Sequence, residues 1–217
     1  MNFDQARFNM VEQQIRPWEV LDNKVLSLLE SIHREDFVPV RYRKLAFADI
    51  AIPLNCRQFM MRPKIEARML QALDLKDDET VLEIGTGSGF VTACLAALAS
   101  RVVSVEIFDE LHQEAALKLD DKGVRNAELF VGDVMSGWQP EQAHDVVVVT
   151  GSVAEVPEQF LGWVNPGGRL FIVAGQSPAM DARLMTRLGV TEWATESLFE
   201  TDLDRLVNAE PPQEFEF

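Results

Sequence analysis

The chain has 217 residues, 47% of them apolar, enough to bury the core of one domain of ordinary size with a small appendage. Thirty-five acidic against twenty basic side chains give a formal charge of −15, which sets long-range repulsion against a phosphate backbone and argues against RNA or DNA substrates. No apolar run reaches the length of a membrane span, and Met1-Asn2-Phe3-Asp4-Gln5 lacks the basic and apolar regions of a signal peptide, so the expected location is the cytoplasm with no membrane partner.

Phe3, Phe8, Val11 and Ile15 recur at roughly helical spacing until Arg16-Pro17 stops them, which predicts a first amphipathic helix. Asp22 is placed to cap a second, whose stripe is Val25, Leu26, Leu29 and Ile32; His33 at its end reads as a solvent or helix-dipole histidine. Phe37-Val38-Pro39 turns the chain, and Val40 to Leu45 reads as a short basic helical piece with a solvated face. From Ala46 to Arg62 no period is sustained, so a loop is expected; Pro63 then takes a first helical position ahead of Ile65, Met69, Leu70 and Leu73. Arg57, Arg62, Lys64 and Arg68 make this the most basic stretch of an acidic chain. Lys64 and Arg68 read as helix-surface charges, Arg57 and Arg62 as candidates for an anionic substrate. Cys56 and Cys94, with no C-x-x-C and no histidine cluster, read as reduced packing thiols, and no metal is expected.

Thr80-Val81-Leu82-Glu83-Ile84 is short, apolar and β-branched, like a strand buried on both faces. Gly85-Thr86-Gly87-Ser88-Gly89 breaks it, and Phe90 to Leu98 has the length and alanine content of a helix. Glycines at a strand-to-helix turn let the backbone bend and a ligand approach, while the free N–H groups of the helix start face that ligand. A dinucleotide fingerprint spaces its third glycine three residues after the second; here the pattern is E-x-G-x-G-x-G, with Glu83 two residues before the first glycine. A carboxylate there would repel a pyrophosphate but can accept from an ammonium group or order a water.

Arg101 to Glu106 reads as a second strand ending in an acid able to receive ribose hydroxyls, Phe108 to Lys122 as a helix, and Ala127 to Val131 as a third strand followed by Gly132-Asp133. Asp145 to Thr150 is a fourth strand, Pro157 to Trp163 a helix, and Arg169 to Ala174 a fifth strand after the turn Asn165-Pro166-Gly167-Gly168. A helix over 179–188 and two last strands, Thr191 to Phe199 and Leu203 to Ala209, complete the expectation; the acidic end from Glu210 to Phe217 is expected to fray. Alternating strands and helices predict an α/β, doubly wound, mostly parallel seven-stranded Rossmann-like sheet, with residues 1–75 as an N-terminal helical, substrate-side appendage packed on a domain of residues 76–217. Its ligand belongs at the carboxyl ends of the strands, where Glu83, Glu106, Asp133 and Thr150 fall.

The glycine pattern with these strand-end acids resembles motif I of the class I methyltransferases, which bind S-adenosylmethionine (SAM) and release S-adenosylhomocysteine. That resemblance implies a cofactor site from Glu83, Ile84, Gly85, Thr86, Gly87, Ser88 and Gly89, then Glu106, Ile107, Gly132, Asp133, Val134 and Thr150. Met10-Val11-Glu12-Gln13-Gln14-Ile15, Arg34-Glu35-Asp36-Phe37-Val38-Pro39, Ala46 to Leu54, Val81 to Phe90 and Asn165 to Gly168 narrow it: together they resemble the protein-L-isoaspartate O-methyltransferases over most of the chain. The family implies methyl transfer to a carboxylate of a damaged protein, and thus protein repair. Two segments depart from it. Where the family reads G-Q-T-I-S-x-P, with its serine on the substrate carboxylate, this chain has Arg57 to Pro63 with Met61 at the serine position; where the family has F-V-P-L, it has Leu198 to Leu203. Arg57, Arg62, Thr150 and Ser152 are the groups expected around the acceptor. Three readings stay open: a methyltransferase for damaged-protein carboxylates, the same chemistry on another protein or small-molecule acceptor, and a non-catalytic SAM-binding module. A monomer or weak homodimer is expected.

Overall fold

The computed structural model describes residues 2–210; the expected fraying beyond Glu210 lies outside the described residues. The N-terminal amphipathic run forms α1 (Phe3–Met10), capped by the Asn2 side chain, then widens through a π-helical turn (Val11–Ile15) and tightens through a 3₁₀ turn (Arg16–Trp18). Asp22 caps α2 (Asn23–Ser31) by accepting from the Lys24 N–H at 2.7 Å. The stretch read as a loop holds a small antiparallel hairpin, β1 (Ile52–Pro53) with β2 (Phe59–Met60), ahead of α3 (Pro63–Leu73).

The main sheet has seven strands: β3 (Thr80–Ile84), β4 (Arg101–Glu106), β5 (Ala127–Val131), β6 (His144–Val153), β7 (Val164–Gln176), β8 (Ala179–Arg187) and β9 (Trp193–Thr201). Their order is β5-β4-β3-β6-β7-β8-β9. The first five run parallel, β8 pairs antiparallel with β7, and β9 pairs antiparallel with β8. Helices α4 (Phe90–Leu98), α5 (Asp109–Asp121) and α6 (Glu158–Gly162) make the crossovers. Val81, Leu82 and Val146 to Val149 are fully buried, as central strands covered on both faces require. One face joins α4, α3 and the N-terminal helices in a single apolar cluster running from Met10 to Ala182; the other packs Leu82, Ile84, Val147 and Val149 against Phe160 and Trp163.

Two expectations near the C-terminus are corrected. Residues 179–188 are good helix formers, yet the segment is strand β8, paired along its length with β7 through the two-residue turn Ser177-Pro178. Met180, Ala182 and Leu184 alternate with Asp181, Arg183 and Met185, and Met180 and Ala182 are buried, so sheet packing overrides helical propensity. Leu203 to Ala209 is no strand: it is a strap across the sheet's end, whose β-bridge to the sheet among the described residues is Ser152–Arg205.

Candidate active site

The sheet's carboxyl edge opens into a cavity of about 560 Å³, within the ~300–1,000 Å³ usual for small-molecule sites. The expected residues Met61, Arg62, Ile84, Gly85, Thr86, Gly87, Ser88, Glu106, Ile107, Gly132, Asp133, Val134 and Thr150 all line it.

Glu106 is 4% exposed and held from two sides: its Oε2 accepts from the Gly87 N–H at 2.8 Å and its Oε1 from the Phe108 N–H at 3.0 Å. The carboxylate is thereby fixed before any ligand arrives, with lone pairs left for a diol. Asp133 stands at the neighbouring strand end; its Oδ1 accepts from the Met135 N–H at 2.8 Å and its Oδ2 from Asn208 Nδ2 at 2.7 Å, which ties the strap to the cavity wall.

The three cradle glycines do different work. Gly87, at φ +52°, faces the cavity, and a Cβ there would meet only Leu54 at 3.5 Å. Gly85 leaves room for the Thr150 hydroxyl, which donates to the Gly85 carbonyl at 2.6 Å and is within 2.9 Å of that of Ile84; Gly89 lets α4 close onto α5, where a Cβ would sit 3.2 Å from that of Ala115. Of the three, Gly87 alone has a Cβ position clear of close contact.

Four expected residues stand elsewhere. Gly89 serves the helix contact just described. Glu83 is fully buried and does not line the cavity: its Oε2 accepts from Thr92 Oγ1 at 2.5 Å and Ser104 Oγ at 2.6 Å, and Ser104 is 2.6 Å from Thr86 Oγ1. Burial pushes its carboxyl up to about 8, against the pull of those hydroxyls. Glu83 therefore ties β3, β4 and α4 together beneath the cradle and is turned away from the ligand space. Arg57 sits exposed at the hairpin tip with φ +58°, because Cys56 and Arg57 are the two central residues of the turn. Ser152 is fully buried under the strap; its hydroxyl donates to the Leu203 carbonyl at 2.7 Å, and its backbone pairs with Asp204 and Leu206.

Sequence reasoning passed over other lining groups. Beyond Asp202, the strap contributes Leu203 to Val207, including Arg205, whose Nη2 donates to the Gly175 carbonyl at 3.1 Å while its buried Nη1 has no partner. Burial first, and the charge of Asp202 second, push the Asp204 carboxyl up. Glu66, 1% exposed, also lines the cavity. Its signal was present: it lies three and four residues before Met69 and Leu70, inside an apolar stripe where a carboxylate needs a reason. Arg68, read as a surface charge, instead stitches α3 to Trp18, Glu19 and the Leu198 carbonyl.

Glycine cradle, helix start and paired strand-end carboxylates in this topology define a class I methyltransferase fold, and the open Gly87, the preset Glu106 and the cavity's volume fit an adenosyl ligand. The profile of protein-L-isoaspartate(D-aspartate) O-methyltransferase matches residues 5–200. Among curated relatives, the protein-L-isoaspartate O-methyltransferase of Methanoculleus marisnigri is 37% identical over 187 residues, covering 86% of this chain and 85% of its own. One from Pelobacter propionicus is 35% identical over 210 residues, covering 96% and 93%. A Plasmodium falciparum chain assigned to this activity and solved with S-adenosyl-L-homocysteine superposes at TM-score 0.78 with 16% identity, over 95% of this chain and 98% of its own. The chain belongs to the protein-L-isoaspartate O-methyltransferase family.

Proposed function

We propose that this protein is a SAM-dependent methyltransferase that esterifies a carboxylate on a protein or small molecule. The observation that carries the reading is Glu106: a carboxylate at a strand end, on the cavity wall, already held by the cradle's own Gly87 N–H. Gly85 to Ser88 would hold the methionyl side, Glu106 the ribose hydroxyls and Asp133 the adenine amine. SAM, when bound, supplies an electrophilic methyl group on sulfur.

The chain's own part is binding, orientation and exclusion of water. A carboxylate acceptor is already ionised at neutral pH, so no strong general base is needed. Holding the reactants in line lowers the barrier by up to ~7–11 kcal/mol. Met60, Met61 and Met180 give one end of the cavity an apolar lining that excludes water, while Arg62 and Arg205 bring positive charge to it. Met61 in place of the family's serine favours a second reading of the same chemistry, with an acceptor other than isoaspartate. We further propose a cytoplasmic enzyme, monomeric or weakly dimeric, with no nucleic-acid partner. No described helix is long and apolar enough to cross a membrane.

Calorimetry tests the core of this reading. SAM and S-adenosylhomocysteine are expected to bind, and a nicotinamide dinucleotide is not. Glu106→Ala loses two charge-assisted hydrogen bonds of about 1.5–3 kcal/mol each, so SAM affinity should fall at least tenfold while the circular dichroism is unchanged. Parent-like binding by that variant would remove the ribose assignment, and dinucleotide binding without SAM binding would remove the whole reading.

A further inference from the structure

Glu66 is a buried acid on the cavity wall that the scheme above leaves without a task. Its Oε2 accepts from Arg34 Nη1, whereas its Oε1 has no hydrogen-bond partner. Arg34 is fully buried and committed on its other sides: Nε donates to the Ala46 carbonyl at 2.9 Å, Nη2 to the Met61 carbonyl at 2.7 Å, and the guanidinium lies 4.9 Å from the centre of the Phe90 ring. A buried carboxylate oxygen without a donor is unfavourable and marks a place where a donor is supplied from elsewhere.

The surroundings identify that donor. Glu66 shares the cavity wall with Ile65 on its own helix and with Ser88 and Val91, where the cradle passes into α4. Of the other acids of the cavity, Glu106 and Asp133 are engaged at the nucleoside strand ends and Asp202 with Ser177 Oγ, while Asp204 belongs to the strap and has Asp202 as its charged neighbour. Glu83, the sequence's candidate for an ammonium, is behind the cradle. We propose that the free carboxylate oxygen of Glu66 receives the α-ammonium group of SAM's methionyl end, an inference that rests on the SAM reading above.

The assignment predicts proton linkage. The charged or titratable groups facing Glu66 are Arg34 on its own side and Cys94 on α4, with Glu83 beyond Cys94. Burial raises the Glu66 carboxyl to about 7, with Arg34 pulling the other way. A cation at Oε1 requires the ionised form, so SAM binding expels a proton and weakens as pH falls below 7. An α-amino group stays protonated below its usual ~7.7–8.0, so the ligand's charge holds constant over that range.

The test is calorimetry with SAM and with methylthioadenosine, which carries the nucleoside and sulfur but no amino-acid end. The intact protein is expected to bind SAM on the order of tenfold more weakly at pH 5.5 than at pH 7, with methylthioadenosine changing far less. Glu66→Gln keeps an acceptor for Arg34 but cannot ionise. It should bind SAM at least tenfold more weakly at pH 7, lose the extra pH slope and leave methylthioadenosine unaffected. Equal slopes for the two ligands in the parent, or parent-like SAM affinity and slope in Glu66→Gln, overturns the assignment and leaves the SAM reading standing. Failure of the parent to bind either ligand overturns both.

Discussion

Glu83 and Glu106 sit on the same side of neighbouring strands and have opposite fates. β3 pairs with β4 so that Glu83 lies beside Ser104 and Ile84 beside Val105, which puts Glu106 two residues nearer the carboxyl edge. At that height Glu106 reaches the cavity, while Glu83 is covered by Thr92 of α4. Sequence spacing reveals an acid near a strand end; strand register, which decides its depth, is not written in one strand alone. The consequence for Glu83 is a pH-dependent stability of unusual sign. Its folded value, about 8, is above the 4.5 usual for a free glutamate, so folding favours the neutral carboxyl. That contribution is complete below the unfolded value and is lost as pH rises through about 8. The melting temperature is therefore expected to fall between pH 6 and pH 9, by about 2–4 °C per kcal/mol for a domain of this size. Glu83→Gln, which cannot ionise, should flatten that fall. A variant whose melting temperature tracks the parent's at every pH would show that Glu83 stays charged in the fold.

At the scale of elements, the strands β3 to β7 and the helices between them were readable because most carry one clean pattern: continuous apolar runs for the covered strands, and a glycine break where β3 passes into α4 and where α5 ends. The β1–β2 hairpin was not, since two residues a side give no period, and neither was β8, whose alternation was masked by helix-forming side chains. The strap was misread because Leu203 and Leu206 look like strand residues, whereas they pack over Ser152 and Gly151. The turn from β3 into α4 yields a sharper expectation than its motif does. Gly87→Val places its side chain in the cavity and meets no backbone, so the fold should survive a positive-φ strain of about 1–2 kcal/mol, while SAM binding is abolished. Gly89→Val drives into Ala115 on α5 and should cost more stability, with loss of binding following from loss of fold. Melting curves beside calorimetry separate the two; a Gly87→Val protein that binds SAM would mean that the ligand does not approach the cradle.

The whole cavity is asymmetric, and that asymmetry bears on the acceptor. Most of its cofactor side, from Ile84 to Ser88 with Glu106, Ile107, Gly132 to Val134 and Thr150, could be named from sequence because it lies in short motifs at strand ends. Its other side is built by the hairpin and the strap, two pieces distant in the chain that meet only in the fold, and there the sequence showed departure without showing what replaced the family's groups. The structure supplies Met60 and Met61 on one wall and Asp202 and Asp204 on the other, with Arg62 and Arg205 as the lining cations and Arg57 turned out to solvent. A carboxylate entering here meets the Met61 side chain where the family resemblance places a serine hydroxyl, and a donor to a charged carboxylate is worth about 1.5–3 kcal/mol, or roughly ten- to a hundredfold in rate when felt in the transition state. Asp202 and Asp204 add repulsion that the two arginines must offset. Turnover of an isoaspartyl peptide is therefore expected to be absent, or at least tenfold below that of a family member with the serine. Met61→Ser should raise it, because the position is buried at the cavity wall with its carbonyl already fixed by Arg34, so a hydroxyl there would be held in place. A methyl-transfer assay on an isoaspartyl peptide and its aspartyl control measures both. Isoaspartate-specific turnover by the parent at ordinary family rates would show that Arg62 or Arg205 takes over the serine's part; no gain in Met61→Ser, with parent activity low, would move the cause from the hairpin to the acidic strap.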